Sequence, residues 1–437
     1  MNFEKKLFLK QKLIINKLKN YLRMLEYSSV NSSLSSMSYF YPGGGVPGYV
    51  KIKFFESFKE GMINFNHYFK SCLAHLIKSP NLKITQKTND KKYNEIVLTW
   101  GEKKQFKLDG SFNDKYFKIN SKTDPKKLWV VIVNEACQNT NSNIIQIEEN
   151  LYKKLNLKNF FKQLFKTFWE NKFSFIKLFH YFPYHSLFAK NISHILTKLI
   201  KENKINKILL PYEPQPFQQY LIQNTKKIDK KIKVVGYIHS ALSSFPTDYV
   251  FRDIVPDKVL VHGEGQIEIL RNKLFWPKKK LKLITSQRYK LNSHEKFKKN
   301  FIYLPYQLIE EKKLLYIFDK FLEKERDFTF NQVGVSSHPK TKNFKNNLVF
   351  VNKLKKVLKK NKKKFSSKKN KMNINFCFGS SSVILELLES KKKVIQITSK
   401  PLYDIFNSFI WKHIAIKKIN DNVFLYRLKK YGKYIKK

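Results

Sequence analysis

Two stretches decide the fold: residues 328–339 read FTFNQVGVSSHP, and residues 373–398 read NINFCFGSSSVILELLESKKKVIQIT. The second predicts a strand, a loop of small residues, an apolar helix over 383–389 and a further strand over 393–398. That order is typical of a βαβ unit, whose two strands lie parallel in one sheet. The first predicts another strand, which ends at His338. The chain is therefore expected to contain an open α/β sheet.

The ends of these strands carry groups that suit a phosphate. One strand runs into a serine loop made of Gly379, Ser380, Ser381 and Ser382. This loop opens a helix, so its backbone N–H groups and hydroxyls are available to an anion. His338, held by Pro339, can donate a charge-assisted hydrogen bond to the same anion. A helix cap and a simple turn are the alternatives for each motif taken alone. Ligands of open α/β sheets bind beyond the carboxyl ends of strands, so the two motifs together predict a nucleotide-phosphate pocket.

Three upstream segments add a resemblance to a known family: GSFNDKYF at residues 110–117, PYEPQPF at 211–217 and PDKVLVHGE at 256–264. With its HP and SSS motifs, the chain resembles the bacterial sialyltransferases and polysialyltransferases, two-domain GT-B glycosyltransferases that use CMP-sugars. The upstream segments resemble bacterial surface-carbohydrate (capsule and lipopolysaccharide) biosynthesis proteins more closely. The resemblance covers about residues 84–398. It implies that HP and SSS hold the nucleotide phosphate, and that a carboxylate of the first domain is the base. The D/E-D/E-G motif that supplies this carboxylate in the sialyltransferases does not occur here.

The charge of the chain is its most unusual bulk property. Lys and Arg number 86 against 33 Asp and Glu, which gives a formal net charge of +53. Such a charge is typical of nucleic-acid binding, but only six of the 86 basic residues are arginine. Proteins that read bases or clamp phosphates in detail favour the bidentate fork of arginine. Lysine spread over the whole chain indicates instead the residue usage of an AT-rich genome. We expect no specific nucleic-acid partner, although the charge favours contact with an anionic membrane.

Cysteine usage and hydropathy bear on location. Cys72, Cys137 and Cys377 have neither a metal spacing nor a disulfide pattern, which is typical of a reduced cytoplasmic setting. No stretch approaches the ~20 apolar residues of a membrane span, and residues 3–25 predict a lysine-rich amphipathic helix. We expect a cytoplasmic protein, with the inner face of the cytoplasmic membrane as a candidate location. No carboxylate pair has the spacing of a divalent-cation site. We therefore expect no metal, and no cofactor apart from a nucleotide-sugar co-substrate.

The pattern predicts two Rossmann-like domains that face each other across a cleft, a GT-B-like α/β architecture. The expected parts are a helical arm over 1–38, an acceptor domain over 39–295, a donor domain over 296–400 and a helical tail over 401–437. Within the acceptor domain we expect a hairpin over 96–110 and buried strands over 128–133, 207–211, 233–238 and 258–261.

Two residues at successive strand ends of the first domain are candidates for the catalytic base, which inverting transfer requires. Glu213 is the first choice, because Pro214 and Pro216 stiffen its loop and, with Tyr212, partly desolvate it. The alternative is that Glu213 only caps the following helix. His239 is the second choice, since imidazole titrates near neutral pH, and it could equally bind donor or acceptor.

Three further residues are candidates for the cleft. Glu386, one turn into the helix after the serine loop, would accept the ribose hydroxyls of the nucleotide. An exposed helix acid stabilised by the helix dipole is the alternative. Gly263 and Glu264 follow the strand over 258–261 and are candidates for the cleft wall.

The expected function is transfer of a sugar from a nucleotide-sugar, plausibly a CMP-sugar, to a surface glycan or a lipid-linked acceptor. One alternative is a phosphotransferase that uses CDP-glycerol or CDP-ribitol, which needs the same phosphate pocket. A second alternative is a non-enzymatic protein that binds nucleic acid or anionic membranes through its charge.

Overall fold

The computed structural model describes most of the chain apart from several internal stretches. The described residues are 2–26, 79–85, 93–153, 184–289, 301–306, 308, 310–324, 333–338, 341–362 and 374–436, with scattered positions between 157 and 169. They form two mixed sheets with helices packed against them. No helix within these ranges is long and apolar enough to cross a membrane.

The first sheet has eight strands. They are β1 (Ser79–Ile84), β2 (Glu95–Gly101), β3 (Lys127–Val133), β4 (Ile144–Lys153), β5 (Lys207–Pro211), β6 (Lys233–Tyr237), β7 (Lys258–Val261) and β8 (Leu281–Leu283). Their order is β1-β4-β3-β2-β5-β6-β7-β8. All neighbours are parallel except β1, which runs antiparallel to β4. The strand order reverses between β2 and β5, so the topological switch point of this sheet lies there.

The helices of this half whose full bounds lie in the described residues are α1 (Phe3–Glu26), α2 (Tyr184–Glu202), α3 (Pro216–Ile228) and α4 (Glu264–Asn272). The predicted N-terminal helix is confirmed as α1, and the predicted strands over 128–133, 207–211, 233–238 and 258–261 are confirmed as β3, β5, β6 and β7. The apolar side chains of β3 are almost fully buried, as expected of a parallel strand covered on both faces.

The predicted hairpin over 96–110 is wrong. β2 lies in the middle of the sheet and pairs in parallel with β3 and β5. Both of its faces are buried, so its apolar run is that of a central strand and not of one arm of a hairpin. The residues after it form a short 3-10 turn at Lys103–Gln105 and a loop in which Phe106 packs on Phe112.

The second sheet has six strands. They are β9 (Phe301–Tyr303), β10 (Gly334–Ser336), β11 (Ile374–Phe378), β12 (Lys393–Ile397), β13 (Ile414–Asn420) and β14 (Val423–Leu428). The helices are α5 (Glu311–Lys324), α6 (Lys345–Lys362), α7 (Val383–Glu389) and α8 (Pro401–Asp404). The order is β10-β9-β11-β12-β14-β13, with the first four strands parallel. The βαβ unit is confirmed as β11–α7–β12, and the switch point lies between β9 and β11.

The expectation of a helical tail over 401–437 is wrong beyond its first turn. After the four-residue α8, the chain forms the antiparallel pair β13–β14, which extends the second sheet beside β12. Residues 424–427 alternate between buried and less buried positions, and Asp421-Asn422 shortly before them is a turn signal between two strands. The closely spaced aromatic residues of 403–411 suggested a helix, but Phe406 and Trp411 pack into the core from a loop and Phe409 is exposed.

A C-terminal segment, residues 431–436, joins the two halves. The N–H of Gly265 donates to the carbonyl of Lys433 at 2.6 Å, and Lys436 bridges the ends of β7 and β8 through backbone hydrogen bonds. From the other half, the buried carboxylate of Glu389 on α7 accepts three backbone N–H groups of this segment. The donors are Gly432 at 2.6 Å, Tyr434 at 2.8 Å and Ile435 at 3.3 Å. One carboxylate therefore fixes the segment that ties the second sheet to the first.

A Glu389→Gln substitution is expected to lower the free energy of unfolding by about 3 kcal/mol. The amide presents an NH₂ group where one carboxylate oxygen accepted, so buried backbone N–H groups lose their partner. Urea titration measures the change. Glu264→Gln is the matched control, because Glu264 pairs with Lys433 of the same segment from an exposed position. Equal losses in the two variants would contradict this account.

Candidate functional site

The carboxyl edges of the two sheets meet. Ser244, in the loop after β6, has its Oγ 3.1 Å from the Oγ of Ser380 in the serine loop. Tyr289, after β8, donates its hydroxyl to Oε1 of Glu386 on α7 at 3.2 Å. One hydrophobic cluster continues from the first sheet into the second. Loops that follow parallel strands therefore face each other across this contact, where open α/β sheets place their ligands.

Glu213 and His239 form a pair at the edge of the first sheet. They follow the adjacent parallel strands β5 and β6, as the sequence predicted, and Oε1 of Glu213 lies 3.4 Å from Nε2 of His239. The glutamate side chain is 39% exposed and the histidine side chain 8%. Glu213 lies beside the switch point, so a carboxylate–imidazole pair stands where a substrate of this sheet would bind.

The alternative role for Glu213, capping of the following helix, falls to other residues. The N-cap of α3 is Gln215. Oε1 of Gln218 accepts the backbone N–H groups of Glu213 and Gln215, both at 3.1 Å. The carboxylate of Glu213 instead accepts the side-chain amide of Gln215 at 2.8 Å. Its loop is thus held by glutamine side chains, and its carboxylate faces the histidine.

Tyr116 completes this edge and was not singled out from the sequence. The centroids of its ring and of the His239 ring lie 4.5 Å apart, and the two rings meet edge to face. Asp114 shapes its loop, because this buried carboxylate accepts the hydroxyl of Thr99 at 2.5 Å and the backbone N–H groups of Tyr116 and Phe117. Burial raises the pKa of Asp114. The available signal was the aspartate followed by two aromatics, since aspartate commonly closes such turns on its own backbone.

The serine loop lies at the switch point of the second sheet. Gly379 adopts a φ of +57°, which glycine reaches without strain. Within the described part of the chain, the backbone N–H groups of Ser380, Ser381 and Ser382 donate to no residue. Three successive donors of this kind are available to an anion. Since Ser244 donates its proton to the carbonyl of Tyr403, Ser380 is the donor to Ser244.

A buried side chain fixes the start of this loop. Nε2 of Gln396 donates to the carbonyls of Gly379 at 2.6 Å and of Asp404 at 2.8 Å. Its Oε1 accepts the hydroxyl of Tyr426 at 2.6 Å. The amide is therefore satisfied on both sides, and the loop is held to β12 by a fully bonded network.

His338 lies at the same edge as the serine loop but not next to it. It follows the edge strand β10, and β9 separates that strand from β11. Two strand spacings put the two backbones about 10 Å apart, a span that a bound nucleotide phosphate and two side chains can bridge. The ring of Tyr306, which follows β9, contacts the His338 ring at 5.2 Å. Pro339 lies outside the described residues.

Of the three other cleft candidates, Glu386 and Gly263 are buried, whereas Glu264 is exposed. Glu386 is only 6% exposed and bonded to Tyr289, so the alternative of an exposed helix acid is wrong. Gly263 lies under the C-terminal segment, where a Cβ would come within 2.5 Å of the Tyr434 carbonyl oxygen. Glu264 pairs with Lys433. Gly263 and Glu264 therefore support the C-terminal segment.

Two more groups near this contact were missed. Arg288, after β8, has an exposed side chain that interacts electrostatically with Tyr116 and Tyr237 of the first half and with Glu386 of the second. His262, after β7, is fully buried, and neither ring nitrogen has a hydrogen-bonding partner of good geometry among the described residues. Burial lowers its pKa to about 3. The Arg288 signal was compositional, as arginine is rare in this chain.

Asp404, a buried carboxyl group close to the serine loop, should make the stability of the protein depend on pH. Burial raises its pKa from 3.8 to about 7, with Glu310 adding to the effect and Thr398 and Lys400 opposing it. Between these two values the folded state binds a proton that the unfolded state has lost, so stability falls as pH rises. Asp404→Asn should remove this loss.

From pH 5 to pH 8, the stability of the wild type should therefore fall by about 2–3 kcal/mol relative to Asp404→Asn in urea titrations. His262 acts in the opposite sense, because its lowered pKa gives stability that is lost as pH falls below 6.5. That contribution is common to both proteins and cancels. Asp421→Asn, at an exposed turn, is the control. Parallel pH profiles for wild type and Asp404→Asn would contradict the assignment.

In the described ranges, no group of three or more His, Cys, Asp or Glu residues is arranged to hold a metal ion. Comparison with known proteins adds no family: no protein-family model matches the chain, and no curated protein matches it.

Proposed function

We propose that the protein is a GT-B-type glycosyltransferase that moves a sugar from a nucleotide-sugar, a CMP-sugar in the first instance, to a surface glycan or lipid-linked acceptor. One observation carries the proposal. The carboxyl edges of two α/β sheets meet, and one edge carries a donor-rich serine loop while the other carries a carboxylate–imidazole pair. A phosphate site and a proton acceptor opposite each other are what sugar transfer from a nucleotide requires.

In this proposal the edge of the first sheet accepts the proton and the edge of the second sheet binds the leaving phosphate. The acceptor hydroxyl oxygen forms the new bond to the sugar carbon while its proton passes to the Glu213–His239 pair. The bond from that carbon to the phosphate oxygen breaks, and its electron pair stays on the phosphate. His338 and the serine loop hold the negative charge that develops there, and Glu386 is the candidate ligand of the ribose. No metal is assigned a role, because these donors face the leaving group.

The same proposal places the protein in surface-polysaccharide synthesis at the inner face of the cytoplasmic membrane. The exposed face at the start of α6 supports contact with anionic lipid. It presents the apolar side chains Phe344, Leu348 and Val349, and lysines surround them on the same helix. Apolar side chains among lysines suit an anionic interface.

Thermal-shift measurements with CMP, CDP, UDP and GDP test the function directly. A nucleotide that binds only the folded state raises the unfolding midpoint, by the equivalent of about 2.7 kcal/mol at a hundred times its Kd. Hydrolysis of a CMP-sugar but not of CDP-glycerol supports sugar transfer, and the reverse supports an alcohol-phosphate transferase. Salt-sensitive DNA retention without any nucleotide response would overturn both.

A further inference from the structure

We propose that Arg288 is a phosphate-binding residue, which grips the leaving phosphate from the side of the first sheet while the serine loop grips it from the second. This inference rests on the proposed function and deepens it. It makes the phosphate site a joint product of both halves of the chain.

Arg288 lies at the contact between the two halves of the chain. It follows β8 and is directly before Tyr289, whose hydroxyl bonds to Glu386 on α7. Its guanidinium lies 5.4 Å from the centroid of the Tyr289 ring. The side chain is solvent-exposed, yet protein groups from both halves surround it closely enough to act on its charge. Arg288 is therefore open to a ligand from solvent while it lies close to groups of both halves.

Among the described residues, the guanidinium of Arg288 lacks a strong anionic partner. No carboxylate lies within ion-pairing distance of Arg288 in the parts of the chain that the structure describes. Its neighbours Tyr116, Tyr237 and Tyr289 are phenols, whose pKa values burial raises, so they stay neutral. The carboxylate of Glu386 also acts on the charge of Arg288, but it accepts the hydroxyl of Tyr289. The guanidinium donors therefore remain available to an external oxyanion.

The basic residue at position 288 is an arginine, which is rare in this chain. Lysine is the default basic residue of this chain, with 80 lysines against six arginines. At Arg288 the planar guanidinium can donate two parallel N–H bonds to two phosphate oxygens, which an ammonium cannot do. Nearby His262 is kept neutral, in part by the charge of Arg288. The positive charge that faces a ligand is thereby concentrated on the guanidinium.

Binding constants from calorimetry test the inference with three probes: CMP, cytidine and inorganic pyrophosphate. Arg288→Gln should weaken CMP binding about tenfold or more and leave cytidine binding unchanged, because cytidine lacks the phosphate. Arg288→Lys keeps the charge without the fork and should give an intermediate loss. Arg427→Gln, at an exposed position of β14, removes the same charge elsewhere and should change CMP affinity less than twofold.

The outcomes separate this inference from the proposed function. If the wild type binds CMP and Arg288→Gln binds it equally well, the role of Arg288 is overturned and the proposed function stands. If pyrophosphate binds through Arg288 but no nucleotide does, the phosphate site stands and the proposed function fails. A wild type that binds neither CMP nor pyrophosphate overturns both.

Discussion

Glu213→Gln is expected to lose about a hundredfold or more in turnover while its affinity for the nucleotide donor stays unchanged. The amide has nearly the same shape as the carboxylate but cannot accept a proton. It also cannot stabilise a protonated His239, which lies 3.4 Å away. Steady-state kinetics with a CMP-sugar, combined with a separate donor-binding measurement, distinguish lost chemistry from lost binding.

The matched control for this experiment is Glu102→Gln. Glu102 follows β2, on the other side of the same switch point, and its carboxylate is already paired with Lys104 and Lys115. These lysines hold its pKa at about 2, so it cannot act as a base near neutral pH. We expect its turnover to stay within about threefold of the wild type. Activity retained in Glu213→Gln but abolished in His239→Ala, with donor affinity preserved in both, would identify His239 as the base.

His338→Ala is expected to lose about ten- to a hundredfold in activity, together with affinity for the donor phosphate. The substitution removes one charge-assisted hydrogen bond from the phosphate and leaves the serine loop in place. The edge position of β10 means that the change should not disturb the centre of the sheet. Turnover with a CMP-sugar and the Kd for CMP measure the two effects.

His194→Ala provides the histidine control, since His194 is exposed on α2, outside both sheet edges. Its activity and its CMP affinity should match those of the wild type. A His338→Ala protein with wild-type turnover and nucleotide affinity would show that the phosphate is held elsewhere at this edge. Arg288 and the serine loop would then be the remaining donors.

The sequence predicted those elements whose signal is local. The runs that became β3, β5 and β6 are apolar between polar or turn residues, and β11 breaks its apolar run only at Asn375, so their strands and strand ends could be recognised directly. Glu213 and His239 were found in this way. Their contact was not predictable, because it depends on β5 and β6 being neighbours in register.

The errors have a common physical origin in long-range pairing. β2 was assigned to a hairpin because a Gly-Glu turn signal follows it, but its parallel partners lie about 30 and 110 residues further along the chain. β14 found its partner β12 across α8 and β13. The contacts of Arg288 and Tyr116 form only when loops that follow distant strands come together in the fold. The aspartate turn before Tyr116 and the rarity of arginine are the signals that the sequence offers, and neither shows what these residues face.

The packing of α1 has a consequence for how the protein is made. Nε2 of Gln11 donates to the carbonyl of Leu402, 391 residues later, and Phe3 stacks on Phe424 of β14. At about 5–20 residues per second, a ribosome needs roughly 20–80 s to reach those partners after it has made α1. The contacts of α1 with residues 273–275, such as Lys19 over the Phe275 ring, involve chain that is made earlier. The packing of α1 can therefore be completed only near the end of synthesis, when residues 402–424 have been made.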